Sequence, residues 1–453
     1  MIKVYNSQSQ SKEDFLPSDP VKMYVCGVTT YSDCHIGHAM SYIVFDTIRR
    51  YLEYRGYSVK HVQNFTDIDD KIIANANRLN VPAKELADGL IDNFFADMDA
   101  LNIQHAHIYP KVTEEISDII NLVKGLIDKG YAYQSEGDVY FRVNSFTGYG
   151  KLSHRSLDEM VTGDQGQHLD NKEHPMDFAL WKSAKPGDPE WDSPWGKGRP
   201  GWHIECSSMS LKYLGETLDI HGGGQDLVFP HHENEIAQSE AYTGKAPFAK
   251  YWMHNGLLQF EKEKMSKSTG NLITIKEALS LFSSDALRLF VLSSHYRSPI
   301  TYTKDNVVAM SRGVQRLRQA AFSESNATES DNIVDGEPFK NRFIEAMDDD
   351  FNTAQAVAAL FDLAKEINKG QKAKMQVSKA QKMLTEFAGV LGLTLKEEES
   401  ISLDAIPLIE LLIETRKGLR TAKQWELADN VRNGLLALGI TLEDKPSGTT
   451  WKA

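Results

Sequence analysis

Cysteine is scarce in this chain: Cys26, Cys34 and Cys206 are the three thiols in 453 residues. So few, so far apart, exclude a disulfide framework and leave burial, catalysis or metal binding as their uses. No apolar run approaches the roughly 20 residues that cross a bilayer. The first residues, MIKVYNSQSQSKEDF, read as a strand and a polar stretch rather than a leader, which points to a cytoplasmic location. Basic charge is also short, with 50 Lys and Arg against 63 Asp and Glu and a formal net charge of -13. That balance excludes indiscriminate nucleic-acid binding but not a local basic face. Internal repeats and long low-complexity tracts are missing too. What remains is ordinary globular composition, 41% hydrophobic and 25% charged, in a length suited to roughly two to four domains.

Residues 21–28 read as a buried strand and 57–65 as a second. Between them Met40, Ile43, Val44, Ile48, Tyr51 and Leu52 fall at helical spacing, with Arg49, Arg50 and Arg55 near the end and Gly56 as the stop. This is a parallel βαβ unit, and its first loop lies at the carboxyl end of the sheet, where open α/β sheets bind ligands. Helical patterns follow at 83–101 and 113–129, then a hairpin around Gly137-Asp138 and a Pro-, Gly- and Trp-rich stretch over 174–202. We read this as an insertion that splits one sheet domain. Strands resume at 218–221 and 251–260, with Cys206 beginning the return to the sheet, and Thr274 with Glu277 forms a capping box. Helices are predicted over 306–322, 343–368, 379–391 and 404–438, joined by polar linkers around 323–338 and 396–400.

Two short signals carry chemistry. His35-Ile36-Gly37-His38 falls at the strand-to-helix turn, where free N–H groups and the positive helix end attract anions and imidazoles can donate to growing phosphate charge. Lys264-Met265-Ser266-Lys267-Ser268 places movable cations on a turn suited to a triphosphate. Taken singly, a capped helix start and a solvated charge run explain them as well. His231 and Glu235 lie four apart after Pro230, so they share a helix face, and Cys26 and Cys206 can reach the same crevice. Two thiolates, an imidazole and a carboxylate suit zinc, although no short Cys-x-x-Cys spacing announces it. His232, His221, His203 and Cys34 remain as competing ligands, Cys34 being better suited to packing. Gly222-Gly223-Gly224 before Gln225-Asp226 permits close backbone approach to a ligand or forms a plain loop.

The two signatures match those of the class I aminoacyl-tRNA synthetases. The segments Tyr24–Gly27, Phe65–Lys71, Gly201–Cys206, Phe229–Glu235, Ala346–Thr353, Leu442–Asp444 and Gly448–Trp451 further resemble the cysteinyl-tRNA synthetase family, across nearly the whole chain. The resemblance implies a Rossmann-like parallel-sheet α/β catalytic domain split by an insertion and followed by a helical C-terminal tRNA-binding region. The corresponding division is 1–110 and 201–294 for the two catalytic halves, 111–200 for the insertion, 295–396 for a helical stem-contact and bundle domain, and 397–453 for a small anticodon-binding domain. It implies ligation of L-cysteine to tRNA(Cys) with Mg-ATP as substrate, by a monomer. One zinc per chain would be held by Cys26, Cys206, His231 and Glu235.

The same resemblance makes His35, His38, Lys264 and Lys267 catalytic and gives Gly37, His38, Gly224, Asp226 and Lys267 to ATP. Thr66, Trp202 and His221 would line the amino-acid pocket, though a buried tryptophan and a strand-end threonine also suit a core. A metal-sulfur bond would select cysteine over serine, since rejecting a close isostere by pocket size is worth about 1–3 kcal/mol. Arg312, Arg316 and Arg318 could face phosphates, and Arg416, Arg420, Lys423, Trp425 and Arg432 an anticodon stem and loop; solvated helix faces show similar spacing. Met40 and Ser32 depart from the family, which often carries Arg and Asp there. Rival readings are a ligase that joins cysteine to an amino sugar, and a catalytically silent tRNA-binding relative.

Overall fold

Four strands pair in parallel in the order β4-β3-β1-β2, with β1 Val21–Thr29, β2 Val59–Thr66, β3 Leu218–Gly224 and β4 Ala249–Asn255. The computed structural model of the chain describes residues 1–157, 159, 171–260, 273–324, 332–396, 405–438, 440–445 and 448–452. They divide into two compact units, Met1–Leu395 and Lys396–Ala453.

Both faces of the sheet are covered, so β1 reads as a continuous apolar run and its side chains alternate between two cores. Met23 and Val25 enter one core with Cys34, Phe45 and Ile48; Tyr24 and Cys26 enter the other with Cys206, Ile204 and Trp252. Cys34, in the loop after β1, thus packs in a different core from the other two thiols. Helix α1 (Ile36–Tyr54) joins β1 to β2 and stops at Arg55, followed by Gly56 at φ +86°. The chain later returns to pair β3 on the opposite side of β1. That reversal makes the carboxyl edge between β1 and β3 a topological switch point, where open α/β sheets bind ligands.

Two glycines shape this edge. Val25 pairs with Gln63 but Val28 with Phe65, so β1 carries a bulge at Cys26-Gly27. A Cβ on Gly27 would fall 1.6 Å from the Asn64 carbonyl oxygen, and the Gly27 N–H donates to Asn64 Oδ1 at 2.9 Å. The bulge re-aims Cys26. At Gly222 a Cβ would meet the Phe45 ring at 2.3 Å, which is how closely α1 packs on β3.

The insertion between β2 and β3 contains an antiparallel sheet of Ala132–Ser135, Asp138–Phe141, Phe178–Ser183 and Gly198–Pro200. Its hairpin turns through Glu136 and Gly137, at φ +50° and +91°. Helix α2 (Trp202–Leu214) leaves the last strand directly. Cys206 thus sits on a helix, not on a strand returning to the sheet.

Other expected elements are divided. The 251–260 strand breaks after Asn255, and Leu258–Phe260 pairs in a separate two-stranded sheet with Ile300–Tyr302. A helix at Asp70–Leu79, capped by Asp69, was not anticipated. After α3 (Glu233–Thr243) and α4 (Ser284–Leu292), unit 1 ends in α5 (Lys304–Phe322), α6 (Glu337–Asp348), α7 (Thr353–Lys372) and α8 (Ser378–Val390). The expected single helix over 343–368 is broken because Asp350 and Phe351 take φ of +61° and +48°. Asp350 is held there by the Tyr5 N–H, Tyr296 Oη–H and Arg297 Nε–H, each at 2.8 Å.

The second unit likewise has two helices, α9 (Ala405–Thr421) and α10 (Trp425–Ala437), parted where Lys423 takes φ +59°. It ends in an unanticipated hairpin of Thr441–Lys445 with Gly448–Lys452. Arg416 is buried and donates twice to Asp444 at 2.8 Å, so it braces this unit instead of offering a free cation to nucleic acid. Among the described residues no helix is long and apolar enough to cross a membrane.

Candidate active site and metal centre

The His35–His38 tetrapeptide caps α1 with its own rings. His35 Nδ1 accepts from the His38 N–H at 3.3 Å, and His38 Nδ1 accepts from the His35 N–H at 3.2 Å. A backbone N–H can only donate, so neither Nδ1 carries a proton and each neutral imidazole is protonated at Nε2. The rings stack 3.7 Å apart. Burial and the neighbouring His35 hold His38 down at about 3, while burial lowers His35 against the field of Asp226. The pair therefore brings neutral Nε2–H donors to the positive end of a helix, an arrangement fit for phosphate oxygens. Gly37 follows in the first turn, and Gly224 ends β3 ahead of exposed Asp226. Lys264 and Lys267 lie outside the described residues. Just beyond them, the Ile273 carbonyl accepts from the Ile36 N–H at 3.0 Å, and the Ile275 N–H donates to the Cys34 carbonyl at 2.9 Å. The described residues that follow the lysine segment are thus tied to the first motif.

At the switch point Cys26 from β1, Cys206 from α2, and His231 and Glu235 from the turn into α3 bring four donor atoms within 4.8 Å of one another, all buried. Cys26 Sγ lies 3.9 Å from Cys206 Sγ and 3.7 Å from Glu235 Oε1, and His231 Nε2 lies 3.1 Å from Glu235 Oε1. His231 precedes the regular helix, in a wider turn over Val228–His232 that Phe229 interrupts with extended backbone. Such a set can hold a metal ion. A second set, Cys26, His221, His232 and Glu235, shares two of its members.

Hydrogen bonds link the two sets. His221 Nε2 reaches the other Glu235 oxygen at 2.8 Å, and His232 Nε2 reaches Cys26 Sγ at 3.3 Å. Behind His232, its Nδ1 meets His254 Nε2 at 2.8 Å, and His254 Nδ1 meets Ser7 Oγ at 2.7 Å. Were Cys26 a thiolate, as a metal ligand must be, one direction would follow for this chain: Ser7 donating to His254, His254 to His232, and His232 to sulfur. His221 and His232 thus contact Glu235 and Cys26 directly, as members of the second set.

The electrostatics fit a cation. Cys26 is pushed up by burial and by Cys206, while its hydrogen bond brings Cys206 down to about 6. Burial opposes charge on Glu235, but His221 and His231 outweigh it and hold the carboxyl at about 2. Burial likewise pulls His231 down, and Glu235 and Cys206 outweigh it to raise the ring to about 10. Two thiols, a carboxylate and one proton-hungry imidazole share the space a metal ion would take.

Residues 13–312 match the model of the class I (C) tRNA synthetase catalytic domain, and residues 342–396 match a DALR domain. The cysteine-tRNA ligase of Dehalococcoides mccartyi strain BAV1 is 57% identical over 100% of this chain and 99% of its own. That of Geobacillus thermodenitrificans is 50% identical with the same coverage. The chain belongs to the cysteinyl-tRNA synthetase family. Among solved structures, Mycobacterium tuberculosis methionyl-tRNA synthetase in complex with methionyl-adenylate shares the fold with TM-score 0.61 and 17% identity, covering 83% of this chain and 90% of that one.

The residues expected to line the amino-acid pocket of this synthetase divide. His221 is fully buried and stacks on Trp252 at 4.5 Å, facing the metal set. Trp202 is 42% exposed, not core, and its ring lies 4.4 Å from that of His231. Thr66 is buried at the end of β2 and donates to Glu205 Oε2 at 2.7 Å. Cys34 packs in the first core, away from the metal set, and burial pushes its thiol up. Met40, one of the family departures, is fully buried there as well.

Sequence reasoning missed Glu205 and His254. A helical reading of 202–214 would have put Glu205 and Cys206 one turn from Trp202, and the alternation of β4 sets His254 beside Trp252. Arg312 and Arg316 are exposed on α5, where Arg316 lies over the Phe361 ring.

Proposed function

We propose that the chain activates L-cysteine with Mg-ATP and transfers the cysteinyl group to the terminal ribose of tRNA(Cys). The cysteine carboxylate oxygen attacks the α-phosphorus, the bond to the β-phosphate oxygen breaks, and pyrophosphate leaves with the electron pair. A ribose hydroxyl of the tRNA then displaces AMP from the adenylate. No covalent enzyme intermediate is needed.

The observation that carries this reading is the convergence of Cys26, Cys206, His231 and Glu235 at the switch point. Zinc fits that donor set: bonds of about 2.3 Å to sulfur and 2.1 Å to oxygen put tetrahedral ligands about 3.8 Å apart for two sulfurs and 3.6 Å for sulfur and oxygen. The 3.9 and 3.7 Å separations lie close to these values, while His231 Nε2 and Glu235 Oε1, at 3.1 Å, would have to part slightly from each other to about 3.4 Å. Bound there, zinc would supply a borderline-soft centre that favours a substrate thiolate over a serine hydroxyl.

In this reading Trp202, Thr66 and His221 shape the cysteine pocket. His35 and His38 donate from Nε2 to the reacting phosphates, and Lys264 and Lys267 neutralise the triphosphate. Gly37, Gly224 and Asp226 approach the nucleotide. The five-part division at 1–110, 111–200, 201–294, 295–396 and 397–453 goes with it, the last two parts serving tRNA.

Aminoacylation of total tRNA with labelled cysteine, alongside metal analysis, tests the proposal. About one zinc per chain and charging with cysteine but not serine are expected. Cysteine activation without transfer to tRNA would favour an amino-sugar ligase, and no activation a silent relative.

A further inference from the structure

Glu205 is 1% exposed, and its one hydrogen-bond partner among the described residues is the Thr66 hydroxyl. The other buried carboxyls of the described chain are treated differently. Asp46, Asp219, Asp350, Glu115, Glu235 and Glu240 each meet a cationic or imidazole nitrogen. Asp67, Asp177, Asp285 and Glu233 each accept from two or more N–H or O–H donors. A carboxylate taken out of water with one neutral donor lacks the compensation that burial ordinarily demands.

Its location says what would supply the missing charge. Glu205 adjoins Cys206 in α2 and lies one turn from Trp202, whose side chain is 42% exposed. Thr66 holds the carboxyl at the carboxyl edge of β2. The thiol and amine of cysteine sit on adjacent carbons, so a group that receives the amine must neighbour the residues that receive the sulfur. We propose that Glu205, positioned by Thr66, is the receptor for the α-ammonium group of the substrate amino acid. This rests on the reading that the pocket binds cysteine.

The test compares L-cysteine with 3-mercaptopropionate, which keeps thiol and carboxylate but lacks the amine, by calorimetric titration of the full-length, zinc-loaded chain. The unmodified protein is expected to prefer cysteine by about 10- to 100-fold, the range of a charge-assisted hydrogen bond. In Glu205→Gln, which keeps an acceptor for Thr66, cysteine weakens to the level of 3-mercaptopropionate while the latter is unchanged and zinc content stays the same. A preserved preference in that variant overturns the proposal. So does equal weakening of both ligands, which would mean that Glu205 acts through Cys206. Should Glu205→Gln fail to fold, Glu205→Asp and Thr66→Val provide the same readout: both must narrow the preference, and an unchanged ratio rejects the assignment. An unmodified chain that prefers cysteine no more than 3-mercaptopropionate overturns the ammonium subsite alone. One that binds neither ligand removes the cysteine reading as well.

Discussion

Arg288 and the Cys26–Cys206 pair lie at the centres of two buried polar clusters that are built on opposite terms. Arg288, fully buried, donates to Asp46 at 2.6 Å and to the carbonyls of Leu101, Asn102 and Leu391 at 3.0 to 3.2 Å. It thereby ties α1, the turn after residue 100, α4 and the end of the helical bundle. The thiol cluster instead gathers two thiols, a carboxylate and three imidazoles, and among the described residues Tyr24 Oη and His221 Nδ1 beside it are buried without hydrogen-bond partners. A closed cluster holds a fold together. An open one can hold a metal ion.

Breaking each cluster should have different consequences. Arg288→Met removes a partner of Asp46 and should lower unfolding stability in urea by about 3 kcal/mol, the low end for a broken buried pair because Arg50 still holds Asp46. Metal content should not change; an equal loss of metal would erase the contrast. Cys206→Ser should do the reverse, keeping the fold while reducing cysteine-dependent pyrophosphate exchange by more than about 100-fold, beyond what loss of an outer partner costs. His254→Phe breaks the relay behind Cys26 and should weaken zinc by about 10- to 100-fold in competition with a chelator. Unaltered affinity would reduce that relay to packing.

A smaller effect concerns pH. Burial holds His61 at about 3, so between about pH 3 and 6.5 it takes up a proton only when the chain unfolds. Its contribution is therefore steady above pH 6.5 and becomes increasingly destabilising as pH falls through that window. His61→Asn should flatten this part of the pH dependence of urea unfolding; matching slopes in the two proteins would refute it.

Much of this was legible in local order. The run over 21–28 and the spacing from Met40 to Leu52 identify β1 and α1 because a buried parallel strand and a packed helix each impose their period on neighbouring residues. Thr274 with Glu277 announced its helix start for the same reason, and the capping box forms. The break at Asp350 was not legible, since residues far away in sequence hold it, and a helical period runs straight through it. Nor was the face of α2, because Gly201 and Trp202 follow a strand and resemble its continuation. Glu205 stayed hidden with it.

The sequence by itself determined the family, the parallel sheet and the inventory of chemical groups, since covalent order sets period, capping and motif spacing. Residue chemistry could name Cys26, Cys206, His231 and Glu235 as candidates but not separate them from Cys34, His221 and His232; the family resemblance singled them out. Tertiary structure narrowed the choice: it sets Cys34 apart and leaves two overlapping sets that share Cys26 and Glu235. Cys26 and Cys34 pack in different cores, the bulge at Gly27 interrupts the alternation of β1 beside Cys26, and hydrogen bonds join His221 to Glu235 and His232 to Cys26. Distance and direction between remote segments decide which groups share a site, and these arise only when the chain is packed.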